Sequence, residues 1–213
     1  MNKPNSKVKV IAAFDFDGTI IRGDTMFILH KLLHNKISRI FNYIKLIPFC
    51  FIYIFKIINL TALKEKFYRI VLEPLTNNYS KDKFNKFISE NLYLKIRKKI
   101  KIDAKKRIQW HLKKGHRVVV ISASPRDFIK GVANDLGVEL IATETNLENL
   151  PNIDIKKFKF TFTSKNCKGN EKVIRLANYV DHALEDYIIY AYGDSIGDKE
   201  LLQVADYSYL NLF

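Results

Sequence analysis

The residues Val8-Lys9-Val10-Ile11-Ala12-Ala13-Phe14 run directly into Asp15-Phe16-Asp17-Gly18-Thr19, and this junction constrains the fold more than any other feature of the chain. A short apolar run bounded by turn residues reads as a buried strand. Arg117-Val118-Val119-Val120-Ile121, Leu140-Ile141-Ala142-Thr143-Glu144-Thr145 and Tyr187-Ile188-Ile189-Tyr190-Ala191-Tyr192 read the same way. Helical stretches separate the strand ends near residues 14, 121, 142 and 192. That spacing implies parallel crossovers and a doubly wound, Rossmann-like α/β sheet covered on both faces. Ligands collect at the carboxyl ends of such strands. Two carboxylates one residue apart at such an end are an unusual thing to build for packing alone.

Three further segments follow in order. Ser122-Ala123-Ser124-Pro125 ends the second run, with Ser124 expected to cap the next helix and Pro125 to open it. Asn166-Cys167-Lys168-Gly169-Asn170-Glu171-Lys172 precedes another helical stretch, and Gly193-Asp194-Ser195-Ile196-Gly197-Asp198 ends the last strand. Together with Asp15-Phe16-Asp17-Gly18-Thr19, these segments resemble the four motifs of the haloacid dehalogenase (HAD) superfamily, in its phosphoserine-phosphatase-like branch, subfamily IB. The resemblance runs from residue 8 to residue 206, and the stretch from 30 to 110 carries little of it.

The resemblance implies a HAD core at 1–24 and 108–213 with an all-helical cap inserted at 25–107. It implies a phosphatase that splits one hard displacement into two through an aspartyl-phosphate. Asp15 is then the nucleophile and Asp17, on the same side of an extended segment, the acid and base. Mg²⁺ is the implied cofactor, held by Asp15, Asp194 and the backbone carbonyl of Asp17, with Asp198 in support. Lys172 matches the family lysine by spacing, with Lys168 in reserve. Ser122 through its hydroxyl, and the turns containing Ala123, Gly18 and Thr19 through their amides, would hold phosphate oxygens. Asp24 is expected either beside the substrate or as a helix cap, and Arg69 either at a substrate anion or on a solvated helix face.

Residues 37–60 leave the partner open. Leu46 to Phe55 is a ten-residue apolar run between Lys45 and Lys56, too short to span a bilayer, which needs about twenty residues. Three placements fit it: packing inside the molecule, a homodimer face, or an anionic membrane surface contacted by Lys36, Arg39, Lys45 and Lys56. The net charge of +14 admits the membrane, whereas no nucleic-acid motif accompanies it. Cys50 and Cys167 form no disulfide framework or zinc site, and Met1 to Lys9 lacks a signal-peptide core. The expected location is therefore cytoplasmic, with the inner membrane face as the peripheral variant. The expected substrate is a small cytosolic phosphate ester. The alternatives are a lipid phosphate of the phosphatidylglycerophosphate kind, or a non-catalytic membrane-associated binding protein. Dehalogenation has no use for Asp17, Asp194 and Asp198.

Three further expectations complete the reading. Phe158 to Thr163 alternates with period two as a half-exposed strand or hairpin arm, and His111 and His116 flank a surface turn. After Asp206 the family's further strand and loop are not recognisable in Tyr207 to Phe213, with Asn211 as the one stand-in.

Overall fold

The computed structural model describes residues 9–151 and 158–213. Val8, and with it most of the segment read for a signal peptide, lies outside them. Strands β1 (Lys9–Phe14), β2 (Arg117–Pro125), β3 (Glu139–Thr143), β4 (Tyr187–Gly193) and β5 (Tyr207–Leu210) form one sheet in the order β3-β2-β1-β4-β5. Every pair is parallel, and Phe14 at the end of β1 stands opposite Val120 on one side and Tyr192 on the other.

Because β1 is central and covered on both faces, Ile11 to Phe14 are all fully buried and no polar alternation appears. The pleat still sorts them. Ile11 and Ala13 face an apolar cluster with Ile121, Ile189 and Leu176, while Ala12 and Phe14 face one with Val120, Tyr192 and Phe128. Helices α6 (Ile102–Lys113) and α7 (Arg126–Leu136) cover the second face, and α8 (Asn170–Tyr179) and α9 (Lys199–Gln203) the first.

Between β1 and β2 lie α1 (Thr25–Leu33), α2 (Lys36–Ile54), α3 (Leu60–Asn78), α4 (Lys81–Lys86), a π-helical stretch (Phe87–Leu92) and α5 (Tyr93–Arg97). Asp24, Asn35, Asn59 and Ser80 cap the first four, their side chains accepting from backbone N–H groups of the first turn. The chain leaves and re-enters the core through one paired crossing: Ile21 bridges Ile100, Arg22 N–H donates to Lys99 C=O at 2.9 Å, and Lys101 N–H donates to Ile20 C=O at 2.9 Å.

Several expectations need correction. Ser124 caps nothing: β2 continues through Pro125, α7 starts at Arg126 without a side-chain cap, and the Ser124 hydroxyl donates instead to Asp17. Tyr207–Leu210 is the further strand that the sequence did not reveal, and Asn211 N–H donates to Gly193 C=O at 2.9 Å just beyond it. Tyr192 stacks between Phe14 at 4.2 Å and Tyr209 at 4.8 Å.

Phe158 to Thr163 is an arm with a single antiparallel bridge, Thr145 to Phe162, and Phe160 is buried against Tyr68 at 5.0 Å. Arg69 does neither thing expected of it. Its Nε donates to Phe160 C=O at 2.7 Å and its Nη2 pairs with Glu65 at 3.4 Å, so it ties α3 to that arm. His111 is fully buried rather than on the surface, with its Nε2 2.8 Å from the Tyr192 hydroxyl and its Nδ1 2.8 Å from His116 Nδ1. Burial pushes its pKa down to about 4, so the ring is neutral. Residues 37–60 pack internally only in part, through Asn42 and Leu46. The ten-residue run is part of the 19-residue α2, of which only 6% of the most apolar window is buried, and by length and composition alone that helix suffices to cross a bilayer.

Candidate active site

In the order β3-β2-β1-β4-β5 the chain winds outward to one side of β1 and then crosses to the other, so the crevice between the ends of β1 and β4 is the switch point. Asp15 follows β1 and Asp194 follows β4. A cleft of about 430 Å³ opens there, with Asp15, Asp17, Ser122, Lys172 and Asp194 on the core side. Asp24, Met26, Phe27, Lys64 and Tyr68 face them from the inserted helices.

Lys172, from the first turn of α8, is fully buried and donates to Asp15 Oδ1 at 2.5 Å and to Asp198 Oδ1 at 2.6 Å. Burial alone would lower its pKa, but Asp15 and Asp198 more than offset this and hold it above the ordinary lysine value. Burial pushes the Asp15 carboxyl up to about 6 against the opposing pull of Lys172. For Asp198 the balance tips the other way. Burial raises its pKa, but the Lys172 ammonium overrides this and keeps Asp198 below the usual carboxylate value.

The second Asp198 oxygen, Oδ2, accepts from Asp194 N–H at 3.2 Å, from Ser195 N–H at 3.1 Å and from the Ser195 hydroxyl at 3.1 Å. Asp198 is thereby committed to holding Lys172 and the turn after β4 in place. Gly193 is needed under it, because a Cβ there would sit 2.6 Å from Asp198 Cβ.

Asp17 is held by a different set. Its Oδ1 accepts from Thr25 N–H at 2.7 Å and from the Thr25 hydroxyl at 2.6 Å, while Oδ2 accepts from the Ser124 hydroxyl. Burial and the nearby Asp24 raise its pKa to about 7, the Ser124 and Thr25 hydrogen bonds opposing them. A carboxyl titrating near neutrality and pinned by three donors has the character of a proton donor and acceptor.

The remaining expected residues divide. Ser122 is fully buried at the cleft wall, its Oγ accepting from Ser124 N–H at 3.0 Å, and Ala123 lines the cleft beside it. Asp24 caps α1, accepting from Met26 N–H at 2.8 Å, and it also lines the cleft. The Gly18 amide is committed to Gly23 C=O at 3.0 Å and is not free for a phosphate. What Gly18 supplies is space. Its φ is +78°, and a Cβ would come within 1.9 Å of Asp194 Oδ2.

Thr19 is a correction: it is buried, does not line the cleft, and faces the side where Tyr209 and Phe213 sit. Lys168 is exposed at the cleft and makes no contact with Asp15 like that of Lys172. Three residues that sequence reading missed complete the site. Ser124 holds Asp17, and Lys64 and Tyr68, one turn apart on α3, reach in from the insertion. Burial lowers the Lys64 pKa, with Lys168 adding to the effect. Burial, Asp24 and Asp17 push Tyr68 well above the ordinary tyrosine value, so its hydroxyl keeps its proton.

Asp15, Asp194 and Asp198 each offer a carboxylate oxygen within 4.8 Å of the others. An all-oxygen set of this kind suits a small hard cation.

The site is a lysine-paired aspartate at the switch point of a doubly wound parallel α/β core, and comparison with known proteins places that core in a family. The family model for haloacid dehalogenase-like hydrolases matches residues 12–203, and the chain belongs to that family. Protein CicA of Caulobacter vibrioides is 33% identical over 94 residues, which is 44% of this chain and 39% of that protein, so the match spans about two fifths of that relative's length. A protein of unknown function from Bordetella pertussis Tohama I has the same fold, with a TM-score of 0.74 and 19% identity over 95% of this chain and 89% of that one. A phosphoserine phosphatase in the form of a phospho-aspartyl intermediate analogue superposes with a TM-score of 0.58 and 17% identity, covering 95% and 86%.

Proposed function

We propose that the chain is a Mg²⁺-dependent phosphomonoester hydrolase working through an aspartyl-phosphate on Asp15. The observation that carries this is the pair of aspartates with divided roles. Asp15 is held by Lys172 at 2.5 Å, and Asp17 is fixed by Thr25 and Ser124 with a pKa near 7. The fold neighbour that bears a phospho-aspartyl analogue supports the same intermediate here.

The Asp15 oxygen not held by Lys172 attacks phosphorus, forming a carboxylate O–P bond as the ester P–O bond breaks. Protonated Asp17 gives its proton to the leaving oxygen, then takes one from the water that hydrolyses the intermediate. Lys172 offsets the negative charge gathered between Asp15 and the phosphoryl group. Asp15 and Asp194 would hold Mg²⁺ together with the Asp17 carbonyl that the family resemblance implies, Asp198 would orient its neighbours, and the ion would supply charge neutralisation for the phosphate. The Ser122 hydroxyl faces the same cleft and contributes a phosphate contact.

The first reading of the substrate is a small phosphate ester. Lys64, Lys168 and Asp24 at the cleft favour a leaving group that is itself charged. A second reading, a lipid-linked phosphate, is favoured by a cavity of about 790 Å³ that shares Gly23, Asp24 and Phe27 with the cleft and runs along α2.

Phosphate release from amino-acid, sugar, nucleotide and lipid phosphates, with and without Mg²⁺ and vesicles, tests both. Release that needs Mg²⁺ and disappears in Asp15→Asn is expected. Turnover that survives Asp15→Asn would overturn the mechanism, and the best substrate decides between the two readings.

A further inference from the structure

Helix α2 is apolar on both sides: Leu46 packs inward against the core, and a second apolar strip faces out. At 100° per residue, Ile37, Ile40, Phe41, Ile44, Ile47 and Phe51 fall within an arc of about 120°. All six point to solvent, from 48% exposed at Ile47 to 67% at Ile37. The opposite face carries Asn42, which is buried and lies 3.2 Å from His30 Nε2 through its Nδ2. Amphipathic surface helices of globular proteins keep the outward face polar, and α2 does not. The strip continues past the helix end in Phe55 and Ile57, both more than 70% exposed. Contiguous apolar surface of this kind marks an interaction site.

Charge identifies the occupant. From Thr25 to Lys64 the sequence contains no acidic residue. Along the flank of α2, the second cavity gathers Arg22, Lys31, Lys36, Arg39, Lys95 and Lys99 around a single carboxylate, Asp24. A second copy of the chain, docked face to face, would bring two such cationic flanks together in a molecule of net charge +14. An anionic lipid surface meets both features at once, taking the apolar strip into the acyl boundary and the cations at the head groups. Spanning is disfavoured because the inner face is already engaged: Lys45 pairs with Glu73 of α3 at 3.6 Å, and the Lys66 ammonium lies 4.4 Å from the Phe49 ring centroid.

We infer that α2 is a membrane-docking helix that lies in the interface of an anionic bilayer, with the basic cavity beside it seated on phosphate head groups. The inference does not rest on the proposed hydrolysis, because it is read by binding alone.

Flotation of the full chain with phosphatidylcholine vesicles, and with vesicles of equal phosphatidylcholine and phosphatidylglycerol, tests it. Binding to the mixed vesicles, weakened by salt and at least tenfold stronger than to the neutral ones, is expected. Ile44→Gln with Phe51→Gln should cut binding by about tenfold or more, since each removes an apolar side chain from the acyl boundary. Lys36→Gln with Arg39→Gln should cut it by roughly fivefold per charge. Ile44, Phe51 and Lys36 are exposed and Arg39 is half-buried, so circular dichroism should be unchanged and the melting temperature nearly so. The inference is overturned by no flotation, by equal flotation with neutral vesicles, by a double apolar variant that floats like the wild type, or by a stable dimer in solution that the apolar variant dissociates. Resistance to alkaline extraction would equally replace docking by spanning.

Discussion

The end of β1 and the outer face of α2 handle polarity in opposite ways. At the strand end, charged groups are buried and paired: Lys172 is 2% exposed between two carboxylates. On α2, apolar side chains stand in water while an asparagine is buried beneath them. Both arrangements cost stability in the isolated molecule, the first through desolvation and the second through exposed hydrocarbon. A costly arrangement that is kept points to use. The core spends stability on chemistry, and the helix on a contact that the isolated chain does not make.

The sharpest way to break this comparison is Asp15→Asn, which should lower turnover by roughly four orders of magnitude or more in a phosphate-release assay. The paired apolar substitutions on α2 should leave turnover on a soluble ester within about twofold, each having only a surface effect.

Next in size is Lys172→Met, which strands Asp15 and Asp198 in the interior. Denaturant unfolding of the metal-free protein should show a loss of about 3–5 kcal/mol. Lys45→Met, removing a pair more than half exposed at each end, should change stability by no more than about 0.5 kcal/mol. Phe84→Ala and Phe51→Ala set the same contrast for hydrocarbon. Phe84 is 1% exposed and should cost about 3–5 kcal/mol, whereas Phe51 is 58% exposed and should cost almost nothing.

A pH-dependent effect, of that size at most, concerns Asp17, whose pKa is about 7 folded against an ordinary 3.8. Between these values the folded state binds more protons than the unfolded one, so this carboxyl's contribution to stability is full below pH 4 and declines as pH rises to 7. Asp17→Asn should therefore melt above the metal-free wild type at pH 8, by up to about 10 °C, with the gap closing towards pH 4. A gap that is constant with pH would show that Asp17 is not the titrating group.

The same contrast separates what the sequence made legible from what it hid. Asp15, Asp17, Lys172 and Asp194 are legible through the motif resemblance, and the structure gathers them at one cleft because each sits within a few residues of a strand end or helix start. Thr19 was misplaced because the backbone at Gly18, with φ of +78°, turns the next side chain away from the cleft. Lys64 and Tyr68 were hidden for another reason. Their spacing of four marks one helix face, but only the docking of α3 decides that this face meets the site. For His111 a signal did exist, since Ala104, Ile108 and His111 follow the i, i+4, i+7 rule of a buried stripe, and the neighbouring lysines masked it. The apolar spacing of α2 was equally visible, but periodicity is silent on whether a stripe faces inward or outward.

The paired crossing at Ile20 to Arg22 and Lys99 to Lys101 carries a consequence for how this architecture can change. Because the excursion between β1 and β2 leaves and returns through hydrogen-bonded neighbours, its ends are already closed. Closure entropy grows only slowly with contour length, by about 0.6 kcal/mol per doubling. The helices in that excursion can therefore be lengthened, shortened or replaced with little penalty to the sheet. The side of the cleft built by Lys64 and Tyr68 can then change while Asp15, Asp17 and Asp194 stay where they are.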